Sequence, residues 1–173
     1  VTAQVTVSEV NDLPTLTEFT APVATTAEDT QVEISFADLT TNSDAADTAD
    51  AANGGVVASF KVTDVTSGTR LIVNSLGVSE AWNAATNFTI DATHQAYWTP
   101  AENANGTLNA FTVVAVDNDG ALSETADVTA QVTVSEVNDL PTLTEFTAPV
   151  ATTAEDTQVE ISFADLTTNS DAA

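Results

Sequence analysis

Val128, Ala130, Val132 and Val134 alternate with Thr129, Gln131 and Thr133, the period-two signature of a half-buried strand. Val32, Ile34 and Phe36 repeat that alternation, as do Ala58, Phe60 and Val62. Phe111, Val113 and Ala115 form a fourth series, in which Val114 and Val116 on the other face predict a strand covered on both sides. Ser67-Gly68, Asn105-Gly106 and Asp119-Gly120 punctuate these runs as turns. Helical signals are weak: the Ala/Asp stretch from Asp44 to Ala52 offers a turn or two, and the Thr-rich, β-branched composition argues against more. Strands are predicted near 15–26, 31–37, 56–65, 69–74, 95–99, 108–117 and 121–135. Short punctuated strands of this kind predict an all-β fold, a two-sheet antiparallel β-sandwich of about seven strands.

Residues 1–46 recur letter for letter as residues 128–173. Identity over that length marks a tandem repeat with a period of 127 residues (128 − 1 = 127). The period far exceeds the roughly 20–50 residues of solenoids and propellers, so each repeat should be a self-sufficient domain. On this phasing residues 1–10 are the last strand of a preceding repeat and residues 11–137 one complete repeat. Residues 138–173 are then the first two strands of a following one. Two strands alone are marginal in water. Residues 138–173 are therefore expected to be mobile or to make head-to-tail or strand-pairing contacts with a neighbouring molecule. Val1 opens in mid-pattern, as a piece of a longer chain would, and no signal peptide is visible.

Charge narrows the partners. The 173 residues carry 26 Asp+Glu against 2 Lys+Arg, a formal net charge of −24, with no Cys and no Met. A chain so poor in cations cannot hold a phosphate backbone by counterion release, which argues against nucleic acid. Anionic membrane surfaces are disfavoured for the same reason. No run of about 18 apolar residues is present to span a bilayer. The absence of Cys removes disulfide scaffolds and thiolate metal sites without identifying a compartment.

The acids are not spread evenly. Following the predicted strands up and down places Glu28, Asp29, Glu102, Asn103 and Asn105 at one rim, with the linker Glu136 to Pro141 beneath it. The other rim receives Asp117, Asn118 and Asp119, together with Asp91 and, from the loop before residue 56, Asp44, Asp47 and Asp50. Like charges this close repel by a few kcal/mol at an effective dielectric of about 20. A hard divalent cation that accepts carboxylate, amide and carbonyl oxygens together is the natural neutraliser, which favours calcium over the stricter octahedral magnesium.

Several runs resemble a family. Glu136-Val-Asn138-Asp139-x-Pro141 is similar to the D-x-N-D-x-x-P linker of cadherins, with Glu in place of the first Asp. Phe88-Thr-Ile90-Asp91-Ala-Thr93 resembles the cadherin F-x-I-D-x-x-T segment, with His94 where that family usually has Gly. V-N-D-L-P, T-A-E-D-T, Y-W-T-P-A-E-N-A-N-G-T and F-T-V-V-A-V-D-N-D-G together resemble the Ig-like, cadherin-like repeats of giant bacterial RTX-type adhesins, over the whole period. The resemblance implies a β-sandwich extender repeated many times, with calcium at the junctions, secreted by a type I system and displayed on a bacterial surface. Such proteins hold the cell to surfaces, to other cells or within a biofilm.

Carried over residue by residue, the resemblance makes Glu136, Asn138 and Asp139 the linker ligands, with Glu9, Asn11 and Asp12 as their counterparts at the other end. Glu28, beside Asp29, takes the place of the cadherin lower-rim Glu. Asp117 and Asp119, flanking Asn118, match the hairpin ligands of the bacterial repeats. Asp91 joins the upper rim. Two departures stand out. Where related repeats show D-x-D-G, this chain reads Asp50-Ala-Ala-Asn53-Gly54-Gly55, which argues against calcium in that loop. The cadherin L-D-R-E motif is absent, and Glu102 is only a positional substitute.

An enzyme is not expected. His94 is the one His, no G-x-S-x-G or H-E-x-x-H signature occurs, and the paired carboxylates lie in rim loops with no predicted apolar cleft to raise a pKa. The rival reading is a glycan-binding adhesion module in which Trp82 stacks on a sugar beside a bound calcium. Trp98 alternates with Ala96 on a core-facing strand, where sandwiches of this type bury a Trp. Thr15 and Thr17 stand alone, without the regular T-x-T ranks of an ice-binding face.

Overall fold

The computed structural model describes residues 1–8, 10–50, 54–68, 70–75, 78–124 and 127–172, with backbone alone at 70, 72, 74, 75, 78 and 79. The chain divides into two compact units, Val1–Val137 and Asn138–Ala173.

The first unit is mostly β. Its strands are β1 (Ala24–Ala27), β2 (Val32–Ile34), β3 (Val57–Val65), β4 (Arg70–Ser75), β5 (Val78–Ala81), β6 (Thr89–Ile90), β7 (His94–Thr99), β8 (Gly106–Asp117) and β9 (Val128–Ser135). They form a five-stranded sheet in the order β1-β9-β8-β3-β6 and a four-stranded sheet in the order β2-β7-β4-β5. Both sheets feed one apolar core. Phe60, Val62, Phe111, Val113, Ala130 and Val132 enter it from the first, and Ile34, Leu71, Ala96 and Trp98 from the second. Those are the inward positions of the alternations that predicted strands. Trp98 is fully buried, and its Nε1 donates to the Ser67 carbonyl at 2.8 Å, meeting the one polar need of the ring.

The structure corrects the predicted antiparallel arrangement in one place. β1 runs parallel to β9, with Ala24 opposite Val132 and Ala27 opposite Ser135. Parallel neighbours need a long connection, and here the rest of the unit supplies it. Two short strands, β5 and β6, were not anticipated. The predicted strand at 15–26 is regular only in β1, with isolated bridges from Thr15 to Ala46 and from Phe19 to Ser43. Strand β9 begins at Val128 rather than near 121, after a bridge from Val116 to Leu122.

The predicted strand at 31–37 instead gives way to a helix, α1 (Phe36–Thr41). Ser35 and Asp38 form a reciprocal capping box: Asp38 N donates to Ser35 Oγ, and Ser35 N donates to Asp38 Oδ2 at 2.8 Å. Leu39 then drops into the core, fully buried. The Ala/Asp run at 44–50 that offered a helical turn is irregular loop.

The second unit contains α2 (Phe163–Thr168) with the same capping box, Ser162 to Asp165, and a bridge from Phe146 to Ser170. The two strands expected at 138–173 are not formed among its described residues. A strand acquires its hydrogen bonds from a neighbour, and the strand partners that residues 24–27 and 32–34 find in the first unit, β9 and β7, have no counterpart within residues 138–172.

Candidate functional site

Acids of the first unit meet at two places. Around the end of β8, Asp117 is buried and accepts from Asp119 N at 2.9 Å and Ala121 N at 2.8 Å through Oδ1. Its Oδ2 accepts from the Asn11 side-chain amide at 3.0 Å. Burial pushes the Asp117 carboxyl up, but the Asn11 amide and the N–H groups of the hairpin outweigh it and hold the pKa below the usual value. Asp12 donates its backbone N–H to Asp50 Oδ2 at 2.6 Å. Asn118 is occupied in holding the loop to β3: its Oδ1 accepts from Val56 N at 3.0 Å, and its own N–H donates to the Val56 carbonyl at 3.1 Å.

Asp47 stands apart in having no such partners. It is 7% exposed, and neither carboxylate oxygen makes a hydrogen bond. Burial raises its pKa, and the charges of Asp50, Asp117 and Asp119 raise it further. The Asp50 N–H offsets this in part, yet it falls short of hydrogen-bond geometry, because both oxygens remain without a partner. Gly55 leaves room for the group: a Cβ there would stand 2.6 Å from Asp47 Oδ2. A buried carboxylate with no donor, facing three more acids, is costly as it stands. Its oxygens suit a hard cation.

The second meeting place lies at the β1–β2 turn. Glu28 is buried, donates its N–H to the Ser135 carbonyl at 2.9 Å and accepts the Val137 N–H on Oε1. Asp29, at φ 57°, accepts from the Asn103 N–H at 3.3 Å, and Asn103 itself has φ 56°. Asp and Asn tolerate this left-handed backbone better than other non-glycine residues. Glu102 and Glu136 are exposed beside them in sequence.

The structure thus brings Asn11, Asp12, Asp117, Asn118 and Asp119 together, and separately Glu28 with Asp29, Asn103 and Val137. Asp91 joins neither group. Its Oδ1 is taken up locally by Thr93 N at 2.7 Å, His94 N at 3.0 Å and His94 Nδ1 at 2.8 Å, closing the turn between β6 and β7. The Asp91–His94 contact is the one acid–base side-chain pair among the described residues, ionic when His94 is protonated. Burial works against the Asp91 charge, but these bonds prevail and lower its pKa. Asn138 and Asp139 lie in the second unit, both exposed, with Asn138 Nδ2 donating to the Asp139 carbonyl at 2.9 Å. Glu9 and Asn53 lie outside the described residues.

The sequence places Asp47 and Asp50 at this rim but, because the loop departs from D-x-D-G, argues against calcium there. The structure nevertheless buries both against Asp117. The signal available was the i, i+3 spacing of Asp44, Asp47 and Asp50. Asp44 turns elsewhere, accepting from Thr17 N at 2.8 Å and from Glu18 N at 3.1 Å. Trp82 is half-buried, packed against the core, with Nε1 donating to the Val62 carbonyl at 3.4 Å. A ring used in this way has less free face for a sugar.

Among the described residues no three His, Cys, Asp or Glu side chains already converge as a finished metal cage, and no helix is long and apolar enough to cross a membrane. No protein-family model, curated protein or solved structure matches the chain.

Proposed function

We propose that this chain belongs to a tandem array of Ig-like, cadherin-like β-sandwich modules that act as calcium-stiffened extenders of a cell-surface adhesin. The observation that carries the calcium reading is the buried Asp47 carboxylate, without a hydrogen-bond donor on either oxygen and surrounded by Asp50, Asp117 and Asp119. Two sheets feeding one core support the sandwich. The letter-for-letter repeat supports the array. Placement outside a bacterial cell, type I secretion and a role in attachment or biofilm rest on the resemblance alone.

On this reading Asp47, Asp50, Asp117 and Asp119 supply carboxylates at the end of β8, and Asn11 and Asp12 bring in the chain that leads into the module. A bound cation removes the mutual repulsion of these acids and fixes the entering segment to the rim. Extracellular calcium modules bind at about 10⁻⁴–10⁻³ M, so millimolar calcium outside a cell fills the site and cytoplasmic calcium does not. Copies joined through such rims project a distal binding region as a rod.

Calorimetric titration of the chain with calcium, paired with thermal melts in chelator and in excess calcium, tests this. The expected result is at least one ion bound and a Tm raised by about 5–10 °C at calcium a hundredfold above Kd. No heat and an unchanged Tm would discard the calcium reading.

A further inference from the structure

The turn between β6 and β7 stands outside both groups of acids and carries chemistry that the calcium reading does not use. Asp91 Oδ1 is saturated: it accepts from Thr93 N at 2.7 Å, Thr93 Oγ1 at 2.9 Å, His94 N at 3.0 Å and His94 Nδ1 at 2.8 Å. A carboxylate beside Nδ1 keeps the proton of neutral His94 there and leaves Nε2 as an acceptor. Among the described residues, neither Asp91 Oδ2 nor His94 Nε2 has a hydrogen-bond partner. The two side chains are 28% and 33% exposed, so these atoms are open to a ligand.

Two clefts share Asp91. One, of about 250 Å³, is lined by Thr86, Asn87, Phe88, Thr89, Asp91 and His94. The other, of about 240 Å³, is lined by Ser35, Phe36, Ala37, Asp91, Ala92 and Gln95. Both fall a little short of the roughly 300 Å³ at which pockets for drug-sized ligands begin, a size that suits one ring apiece. The first cleft has a fixed wall. Asn87 Nδ2 donates to the carbonyls of Val73, Glu80 and Ala81, each at 3.1 Å, and Asn87 N donates to the Asn83 carbonyl at 2.9 Å. These bonds tie the 83–87 turn to β4 and β5, so little ordering is left for a ligand to impose.

The lining sorts ligands by their chemistry. An anion would meet the Asp91 charge with no cation to offset it: Lys61 Nζ lies over the Phe88 ring, 5.2 Å from its centroid, and Lys61 lines neither cleft. A hard cation would find one open carboxylate oxygen, where calcium takes about six to eight oxygens. A neutral polyol fits, because each of its hydroxyls both donates and accepts. Asp91 Oδ2 and His94 Nε2 can take hydroxyl protons, the hydroxyls of Thr86 and Thr89 can give them, and Phe88 and Phe36 supply apolar walls.

We propose that the two clefts joined at Asp91 bind a neutral oligosaccharide, one sugar ring in each, with Asp91 Oδ2 and His94 Nε2 accepting from its hydroxyls. Clefts this open hold a ligand weakly, with a Kd on the order of 1 mM. In the array proposed above, a site repeated in each module would gain avidity on a glycan-coated surface; that gain alone rests on the array reading. The site shares no residue with the calcium cluster, and its occupancy needs no cation.

Amide-resolved NMR of the whole chain in chelator tests this, with maltotriose, mannotriose, chitotriose and the acidic trigalacturonate titrated separately. At least one neutral trisaccharide should shift amides within 35–37 and 86–95 and saturate in the millimolar range, and trigalacturonate should not. Thr86→Trp fills the first cleft from an exposed position and should abolish the binding. Thr89→Val removes a hydroxyl while keeping the branched shape and should weaken it about five- to tenfold. Both variants should melt like the unaltered chain. Neutral trisaccharides that leave these amides unmoved, shifts confined to Trp82 or to the acids around Asp117, or full affinity in a folded Thr86→Trp chain would each overturn the proposal.

Discussion

The side-chain amide of Asn11 donates to Asp117 Oδ2 at 3.0 Å, joining the segment that enters the first unit to the hairpin that follows its longest strand, 106 residues later. The next residue repeats the link, with Asp12 N–H on Asp50 Oδ2. Two successive residues of the entering chain therefore rest on the two acids that flank Asp47. The loop carboxylates and the entry path form one structure, and a change in the charge of one reaches the other.

Asp47→Asn removes a buried charge from among Asp50, Asp117 and Asp119 and introduces amide donors for them. In chelator the variant should melt about 2–4 °C higher than the unaltered chain. In excess calcium the order should reverse, because the amide supplies the ion with less charge. Paired melts in the two buffers read both signs.

The pH dependence follows from the direction of the Asp47 shift. A carboxyl whose pKa is raised on folding destabilises the fold when ionised, and this penalty grows as pH rises from the unfolded value, 3.8, through the raised folded value. The advantage of Asp47→Asn in chelator should therefore be full above the raised folded value and fade as pH falls from there to 3.8. Melts of both proteins across the acidic range check it. A difference that stays constant down to pH 3.8 would mean that Asp47 does not carry the charge penalty.

Leu39 and Leu166 provide an internal control. Leu39→Ala empties a fully buried site and should cost about 2–5 kcal/mol. Leu166→Ala, the same substitution in the same local sequence, should stay within about 0.5 kcal/mol because the side chain is already 39% exposed. Denaturant unfolding of the two variants measures the difference.

Gly68 has φ 94°, and a Cβ there would stand 2.5 Å from both the Trp98 indole nitrogen and the Thr99 carbonyl oxygen. Gly68→Ala combines backbone strain with displacement of the Trp98 hydrogen bond to Ser67, a loss of about 2 kcal/mol or more. A red shift in the Trp emission of the folded variant would accompany the lower unfolding midpoint.

The alternations around Phe60, Phe111 and Val132 were enough to locate β3, β8 and β9, because a period of two over several residues has few other physical readings. Other elements were harder to read. Helix α1 sits inside an apparent strand because Phe36 continues the alternation of Val32 and Ile34, while the Ser35 to Asp38 capping box, the one local sign of a helix start, is only four residues long. Strands β5 and β6 are too short to show a period. The parallel β1–β9 pair joins residues more than a hundred positions apart, beyond any local pattern.

Rim loops were legible from strand counting, so the grouping of Asp117 with Asn11 and Asp12 was within reach. The burial of Asp47 was not. It depends on Gly55 leaving space and on Asp50 turning toward Asp12, both decided by tertiary packing. Asp91 stands apart from that group, and Thr93 and His94, directly following, bond to its Oδ1.

The parallel pairing of β1 with β9 also determines how the first unit meets tension. A pull that lifts residue 11 and draws residue 137 the other way slides β1 along β9, so the bonds from Val23 N to Gln131 O and from Glu28 N to Ser135 O, and those between them, resist together instead of parting one by one. Shear of this kind demands simultaneous rupture, whereas peeling a strand from its end does not. A module linked through these two positions would hold its shape under drag until the whole β1–β9 seam gave way at once.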